Sequence, residues 1–175
     1  MLAWYSHQTP STTREDLVLS QIIRAGRLDR SFFTSLLFDD YAVGNAVALV
    51  ALLAAIPALL GSDLSVVAVV SAALYGLMWA GLTAVAAWAV ATRILQRDGR
   101  IPTTFRLTAF AHVALIPTLF IPLFPGLLGV LIVGSLAWFF MAMRIVADVQ
   151  FDLVGQDTLQ VAGAAVAVRF ILLLI

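Results

Sequence analysis

Five long apolar runs, joined by short polar links, constrain the fold of this chain more than any other feature. A helix needs about 20 apolar residues, each rising 1.5 Å, to cross about 30 Å of hydrocarbon. Charged residues make up only 11% of the 175 residues, too few to cover a surface in water. We therefore predict an all-α, polytopic membrane helix bundle. Its five transmembrane helices are expected at 42–60, 64–91, 105–123, 127–145 and 158–175.

The arginines indicate how the spans are oriented. With five crossings, nine arginines fall on one side of the membrane, whereas the links GSD (61–63) and PLFPG (122–126) on the other side contain no basic residue. Because basic segments stay in the cytoplasm, we predict a cytoplasmic N-terminus and an outer C-terminus in the bacterial inner membrane. The nine are Arg14, Arg24, Arg27, Arg30, Arg93, Arg97, Arg100, Arg106 and Arg144.

The segment before the first span suits a membrane surface. EDLVLSQIIRAGRLDRSFFTSLLFDD, residues 15–40, carries arginines at helical spacing among apolar side chains. We predict one amphipathic interfacial helix within a cytoplasmic tail (1–41), followed by the transmembrane domain (42–175). A solvated helix that leads into the first span is the alternative. The candidate ligands of anionic lipid headgroups are Arg24, Arg27, Arg30, Arg93, Arg97, Arg100 and Arg106.

Small residues indicate where the spans pack. In lipid, helix association depends on close backbone contact, which small side chains at steps of four permit. The second span carries the longest such ridge, so we predict that it lies at the centre of the bundle. The ridge consists of Ala72, Gly76, Ala80 and Ala84, and the spacing recurs at Gly163 and Ala167 and at Gly44 and Ala48.

The stretch FRLTAFAHVALIPTLFIPLFPG (105–126) places a histidine and three prolines inside an apolar run. Pro117 cannot donate to the carbonyl of Val113, so we predict a kink in the third span there. His112 lies beside this carbonyl, and Thr83 on the second span is its expected hydrogen-bond partner. We interpret His112 as structural. A ligand to a heme or chlorophyll-type pigment, or a proton carrier in a transporter, are the alternatives.

Other chemical signals are few. Arg169 in the fifth span is expected to snorkel to the outer face or to contact Asp63. Asp148 and Asp152 share a helical face, for which we prefer a solvated surface to a cation site. The chain has no cysteine, phosphate-binding loop, HExxH motif or serine elbow. We therefore predict no enzymatic activity, metal, cofactor or nucleic-acid partner.

The third and fourth spans resemble a known family. GRIPTTFRLTAFAHVALIPTLFIPLFPGLLGVLIVGSLAWFFMAMRIVADVQFDL is similar to the Yip domain of five-span membrane proteins related to Rab GTPase-interacting factors. The matching features are Gly99, Phe105 with Arg106, the segment 109–117 and Trp138. The resemblance implies a helical bundle of the prokaryotic type, with a role in membrane organisation or trafficking.

These observations predict a non-catalytic integral membrane protein. It would act in membrane organisation or as an interaction or accessory subunit, with anionic lipid and other membrane proteins as partners. Two alternatives stay open. One is an accessory subunit of an energy-transducing or pigment complex with His112 near the cofactor, and the other is a small transporter that uses His112 and Arg169.

Overall fold

The computed structural model describes residues 14–39, 41–60 and 65–174, and these ranges contain helices and no strand. The predicted all-helical fold is therefore confirmed for this part of the chain. Its α-helices are α1 (Arg14–Gly26), α2 (Arg30–Leu36), α3 (Ala42–Leu60), α4 (Val66–Ala89), α5 (Ile101–Ala111), α6 (Leu128–Phe151) and α7 (Gln156–Leu174). A π-helical turn (Val90–Ile94) extends α4, and 3₁₀ segments follow α5 (His112–Phe120) and precede α6 (Pro125–Leu127).

Four helical segments of the described ranges are long and apolar enough to cross a membrane. They are Ala42–Leu60, Val66–Ile94, Ile101–Phe120 and Pro125–Phe151. They correspond to the first four predicted spans. A helix also forms where the fifth was predicted, but α7 is not one of these four, so the five-span count stays a prediction.

The outer surface of these helices is apolar. Large side chains on α4 and α6, such as Val67, Leu74, Val130 and Val133, are exposed over half or more of their area. A protein in water rarely exposes contiguous apolar surface of this extent, because each buried Å² is worth about 25 cal/mol. A lipid environment removes that penalty and accounts for the pattern.

Helix α4 packs against α3, α5 and α7. Gly76 lies so close to α3 that a Cβ added there would overlap the Cβ of Ala54, and Ala80 and Ala84 are buried. Three residues of the predicted ridge therefore lie at close or buried positions, whereas Ala72, the fourth, is half-buried.

The other pairs of small residues lie elsewhere. A Cβ at Gly163 would meet no atom within 4 Å, and Ala167 is exposed, as are Gly44 and Ala48. Their prediction as packing positions is wrong within the described structure. Spacing alone does not determine which face of a helix meets a neighbour, and α7 instead buries Val161, Ala162 and Ala165.

The N-terminal segment forms two helices, so the prediction of one continuous helix is wrong. The break falls at Leu28, which has a left-handed φ of 57°. Asp29 then caps α2, because its carboxylate accepts from the backbone N–H groups of Ser31 and Phe32. Helix α2 docks on the bundle with Phe32 against Phe110, their ring centroids 5.3 Å apart in an edge-to-face arrangement.

The third apolar run changes its winding part of the way along. The α-helix ends at Ala111, and nine residues from His112 to Phe120 continue as a 3₁₀ helix. This change begins five residues before Pro117, the position of the predicted kink, and it includes that proline. A 3₁₀ helix is narrower, and it brings His112 to the junction between the two windings.

Candidate functional site

Polar side chains concentrate in two regions: one end of the bundle, formed by α1, α2 and the links next to α5 and α6, and a cavity among the apolar helices. At the first region, which we call the basic end, Arg30 on α2 pairs with Asp148 on α6. Arg30 Nε donates to Asp148 Oδ2 at 2.6 Å and Nη2 to Oδ1 at 3.3 Å. This bidentate ion pair ties the N-terminal segment to α6. It also raises the pKa of Arg30.

Arg106 is buried at the basic end, with only 2% of its area exposed. Its guanidinium donates to the carbonyl of Leu37 at 2.9 Å and to the carbonyl of Asp39. These carbonyls follow the end of α2, where helix termini leave acceptors unsatisfied. Arg106 therefore holds the connection between α2 and α3. It is not available to lipid headgroups, which corrects its prediction as a lipid ligand.

Arg24 also has partners within the protein. Its Nε donates to Asp29 at 2.8 Å, its Nη2 donates to the Ser31 hydroxyl at 3.0 Å, and the guanidinium lies 5.3 Å from the centre of the Phe32 ring. The hydrogen bond from Ser31, followed by that from Arg24, lowers the pKa of Asp29 to about 2. These contacts fix the junction between α1 and α2.

The remaining candidate arginines face outward. Arg27 is exposed on α1, and Arg93, Arg97 and Arg100 are exposed between α4 and α5. Their link is held in place because Trp88 Nε1 donates to the Gly99 carbonyl at 3.0 Å. These four arginines can therefore reach ligands outside the protein.

The link also needs glycine at position 99. A Cβ there would overlap the ring of Phe151, which is buried at the end of α6. Nearby, Gln150 donates to the Arg100 carbonyl at 3.2 Å and to the Thr104 hydroxyl at 2.6 Å. The link between α4 and α5 is therefore fixed against the same helix that Arg30 contacts.

The second region is a partly open cavity of about 170 Å³ lined by α3, α4, the 3₁₀ segment and α7. Its walls are mostly aliphatic, from residues such as Val50, Leu53 and Leu119, and two basic side chains, His112 and Arg169, also line it. The structure thus places His112 and Arg169, which come from distant parts of the chain, in the lining of one cavity.

His112 is buried, with 5% of its area exposed, and its ring meets Phe139 edge-on at 5.1 Å. Its Nδ1 lies 2.7 Å from the carbonyl of Thr108, and since a carbonyl only accepts, Nδ1 carries the proton. Nε2 has no hydrogen-bond partner among the described residues.

The predicted bond between His112 and Thr83 is wrong. The Thr83 hydroxyl donates to the carbonyl of Trp79, one turn back on its own helix, at 2.7 Å. Each side chain instead forms a hydrogen bond with the backbone carbonyl four residues earlier in its own segment. Such local bonds compete with contacts between helices.

Arg169 on α7 is partly buried. No hydrogen bond or ion pair joins it to any residue in the described ranges. The predicted alternative partner, Asp63, lies outside the described residues. One edge of the cavity is therefore cationic, and the described part of the chain supplies no counter-ion.

The cavity does not fit a pigment. Its volume is close to the 150 Å³ cavity that holds a benzene molecule and lies below the 300–1,000 Å³ of sites for larger ligands. A porphyrin would need its wall helices to separate. Among the described residues, no cluster of three or more metal-ligating side chains exists. Of the two acidic residues considered for a cation, Asp148 pairs with Arg30, and Asp152 ends α6 in the left-handed conformation.

These features define the class of the molecule: its described ranges are helical and include four apolar helices that are long enough to cross a membrane. Comparison with family models, with curated proteins and with solved structures gave no match. The resemblance to the Yip domain is therefore neither supported nor opposed, and it stays a prediction.

Proposed function

We propose that this is a non-catalytic integral membrane protein whose basic end binds anionic lipid, and that it acts in membrane organisation or as an interaction subunit of a membrane complex. The observation that carries the proposal is the outer face of α1. Leu19 and Ile23, one turn apart, are 59% and 45% exposed, and Arg27 follows one turn later.

The outer face of α1 is exposed although the helix is docked. Ala25 is buried, and Gly26 lies beside Val113 and Trp138. Leu19 and Ile23 therefore do not reach the protein core. A helix with apolar residues on one outer stripe and arginine at its end suits the boundary between headgroups and acyl chains.

The exposed arginines between α4 and α5 add to this interaction. Each arginine near an anionic leaflet contributes about 1 kcal/mol, and the attraction falls off within about 8–10 Å at physiological salt. The exposed Arg93, Arg97 and Arg100 would give the link between α4 and α5 three such contacts, and Arg27 on α1 would add a fourth. In this proposal the basic end faces the cytoplasm, as the arginine distribution predicts.

The absence of cysteine from the sequence allows a direct test. Single cysteines at Ile23 and Arg97 would carry spin labels in full-length protein in vesicles with anionic lipid. We expect the label at Ile23 to be accessible to oxygen and shielded from a water-soluble nickel chelate, because α1 lies at the acyl boundary. The label at Arg97 serves as the control and should show the reverse. Equal access of the nickel chelate to both positions would contradict the proposal.

A further inference from the structure

The cavity contains an electrostatic imbalance that a ligand would correct. Arg169 is partly buried against aliphatic walls and has no hydrogen bond or ion pair within the described ranges. An arginine inside a bilayer costs about 3 kcal/mol on insertion scales, and such residues normally pair with an anion or another polar group. The cavity therefore favours a negatively charged or strongly accepting group.

His112 narrows the chemistry of that group. With Nδ1–H donated to the Thr108 carbonyl, the neutral imidazole keeps its lone pair on Nε2, which has no partner in the described structure. Arg169 only donates, and Nε2 only accepts. A complementary ligand needs an acceptor oxygen for Arg169 and an O–H for His112. A carboxylic acid has both, whereas a phosphodiester lacks the O–H and an ester lacks the donor.

The size of the cavity and the composition of its walls restrict the ligand further. About 170 Å³ accommodates a carboxyl group and a few carbons. Val50, Leu53 and Leu119 supply aliphatic walls, and Pro57 at the rim is exposed on the surface of the bundle. A single acyl chain could leave the cavity past this rim and continue along the apolar outer surface of the helices.

We propose that this cavity binds the carboxyl group of a fatty acid drawn from the bilayer, with Arg169 donating to its oxygens and His112 Nε2 sharing its proton. No bond other than that O–H changes, because the proton moves along a hydrogen bond between the carboxyl oxygen and Nε2. This site is separate from the basic end and does not depend on the function proposed for it.

The test uses the full chain in nanodiscs of zwitterionic lipid, with hexadecanoic acid as the probe. A ligand at 100 times its Kd should raise the unfolding midpoint by about 5 °C or more. We expect this shift with the acid and no shift with methyl hexadecanoate, which lacks the O–H. A larger shift with hexadecyl phosphate than with the acid would overturn the assignment to a carboxyl group, and equal shifts with acid and ester would overturn the site.

Variants locate the site. Arg169→Gln and His112→Leu should each weaken binding of hexadecanoic acid at least tenfold. Arg144→Gln, on α6 and outside the cavity lining, is the matched control and should leave binding unchanged. Because Arg169→Gln also changes the charge of the cavity, Leu53→Trp provides a second approach that keeps both basic side chains and fills the cavity. Retention of the wild-type shift in Leu53→Trp would overturn the proposal, as would equal losses in Arg169→Gln and Arg144→Gln.

Discussion

Two arginines within the apolar bundle have opposite surroundings. Arg106 is almost wholly buried, and carbonyl oxygens of Leu37 and Asp39 accept from its guanidinium. Arg169 is partly buried and has no such partner in the described ranges. A buried cation that the chain itself satisfies supports the fold. A cation left without a counter-ion indicates that something outside the described residues completes its surroundings.

The largest effect is expected from replacing Arg106 by leucine, and the same replacement at Arg169 is the comparison. Arg106→Leu leaves carbonyls between α2 and α3 without donors, and hydrogen bonds to a charged group are worth about 1.5–3 kcal/mol each. We expect it to lower the unfolding midpoint strongly. Arg169→Leu removes a cation that has no ion-pair partner in the described ranges, and it should be neutral or stabilising without ligand. Thermal unfolding in detergent measures the midpoint of both variants. If both midpoints fall equally, the two arginines do not differ in their contribution to stability.

A second prediction sharpens the description of the cavity wall. Gly76 lies against Ala54, so Gly76→Leu must separate α3 from α4, at a typical cost of about 1–3 kcal/mol for an overpacked contact. Gly81 lies on the same helix but has no atom within 4 Å of a Cβ position. We therefore expect Gly81→Leu to be tolerated. If both variants unfold at the same temperature, the contact between α3 and α4 is not close packed.

A third prediction concerns the exposed arginines of the basic end. Replacing Arg93, Arg97 and Arg100 by glutamine should weaken the binding of anionic lipid by up to about 3 kcal/mol, so that less lipid copurifies. The unfolding midpoint should not fall. Quantitative lipid analysis at low salt provides the measurement. Loss of stability equal to that of Arg106→Leu would show that these arginines, too, act within the fold.

The smallest effect is the pH response of the junction between α1 and α2. Hydrogen bonds from Ser31 and Arg24 lower the pKa of Asp29 from 3.8 to about 2. A carboxyl with a lowered pKa in the folded state contributes stability above its ordinary pKa and loses it as the pH falls through the folded value. We expect α2 to undock partly between about pH 4 and pH 2, as a spin label on α2 would report. Asp29→Asn should abolish this pH dependence. An unchanged profile in that variant would show that another group causes it.

Sequence patterns predicted the elements that depend on local composition. The range 42–60 coincides with α3 because a single long apolar segment can satisfy its backbone hydrogen bonds in lipid only as a helix. The break at Leu28 was missed because the arginines on either side keep a helical spacing. The Asp29–Arg30–Ser31 sequence does, however, contain a helix-capping signal, which could have revealed it.

The candidate sites were less predictable, because they arise from contacts between distant parts of the chain. No spacing rule brings His112 and Arg169 to one cavity, since their helices meet only through packing. Arg106 resembled the exposed arginines next to it in the sequence. Its burial results from the docking of α2 against α5, which composition does not encode.

The 3₁₀ winding of the third apolar segment also determines its length. Nine residues rise about 2.0 Å each in this form, so His112–Phe120 reaches about 18 Å, against about 13.5 Å as an α-helix. The segment therefore extends several ångströms further than its residue count indicates. Because hydrophobic mismatch costs a fraction of a kcal/mol per Å, the winding of these residues, together with their number, determines which bilayer thickness the segment matches.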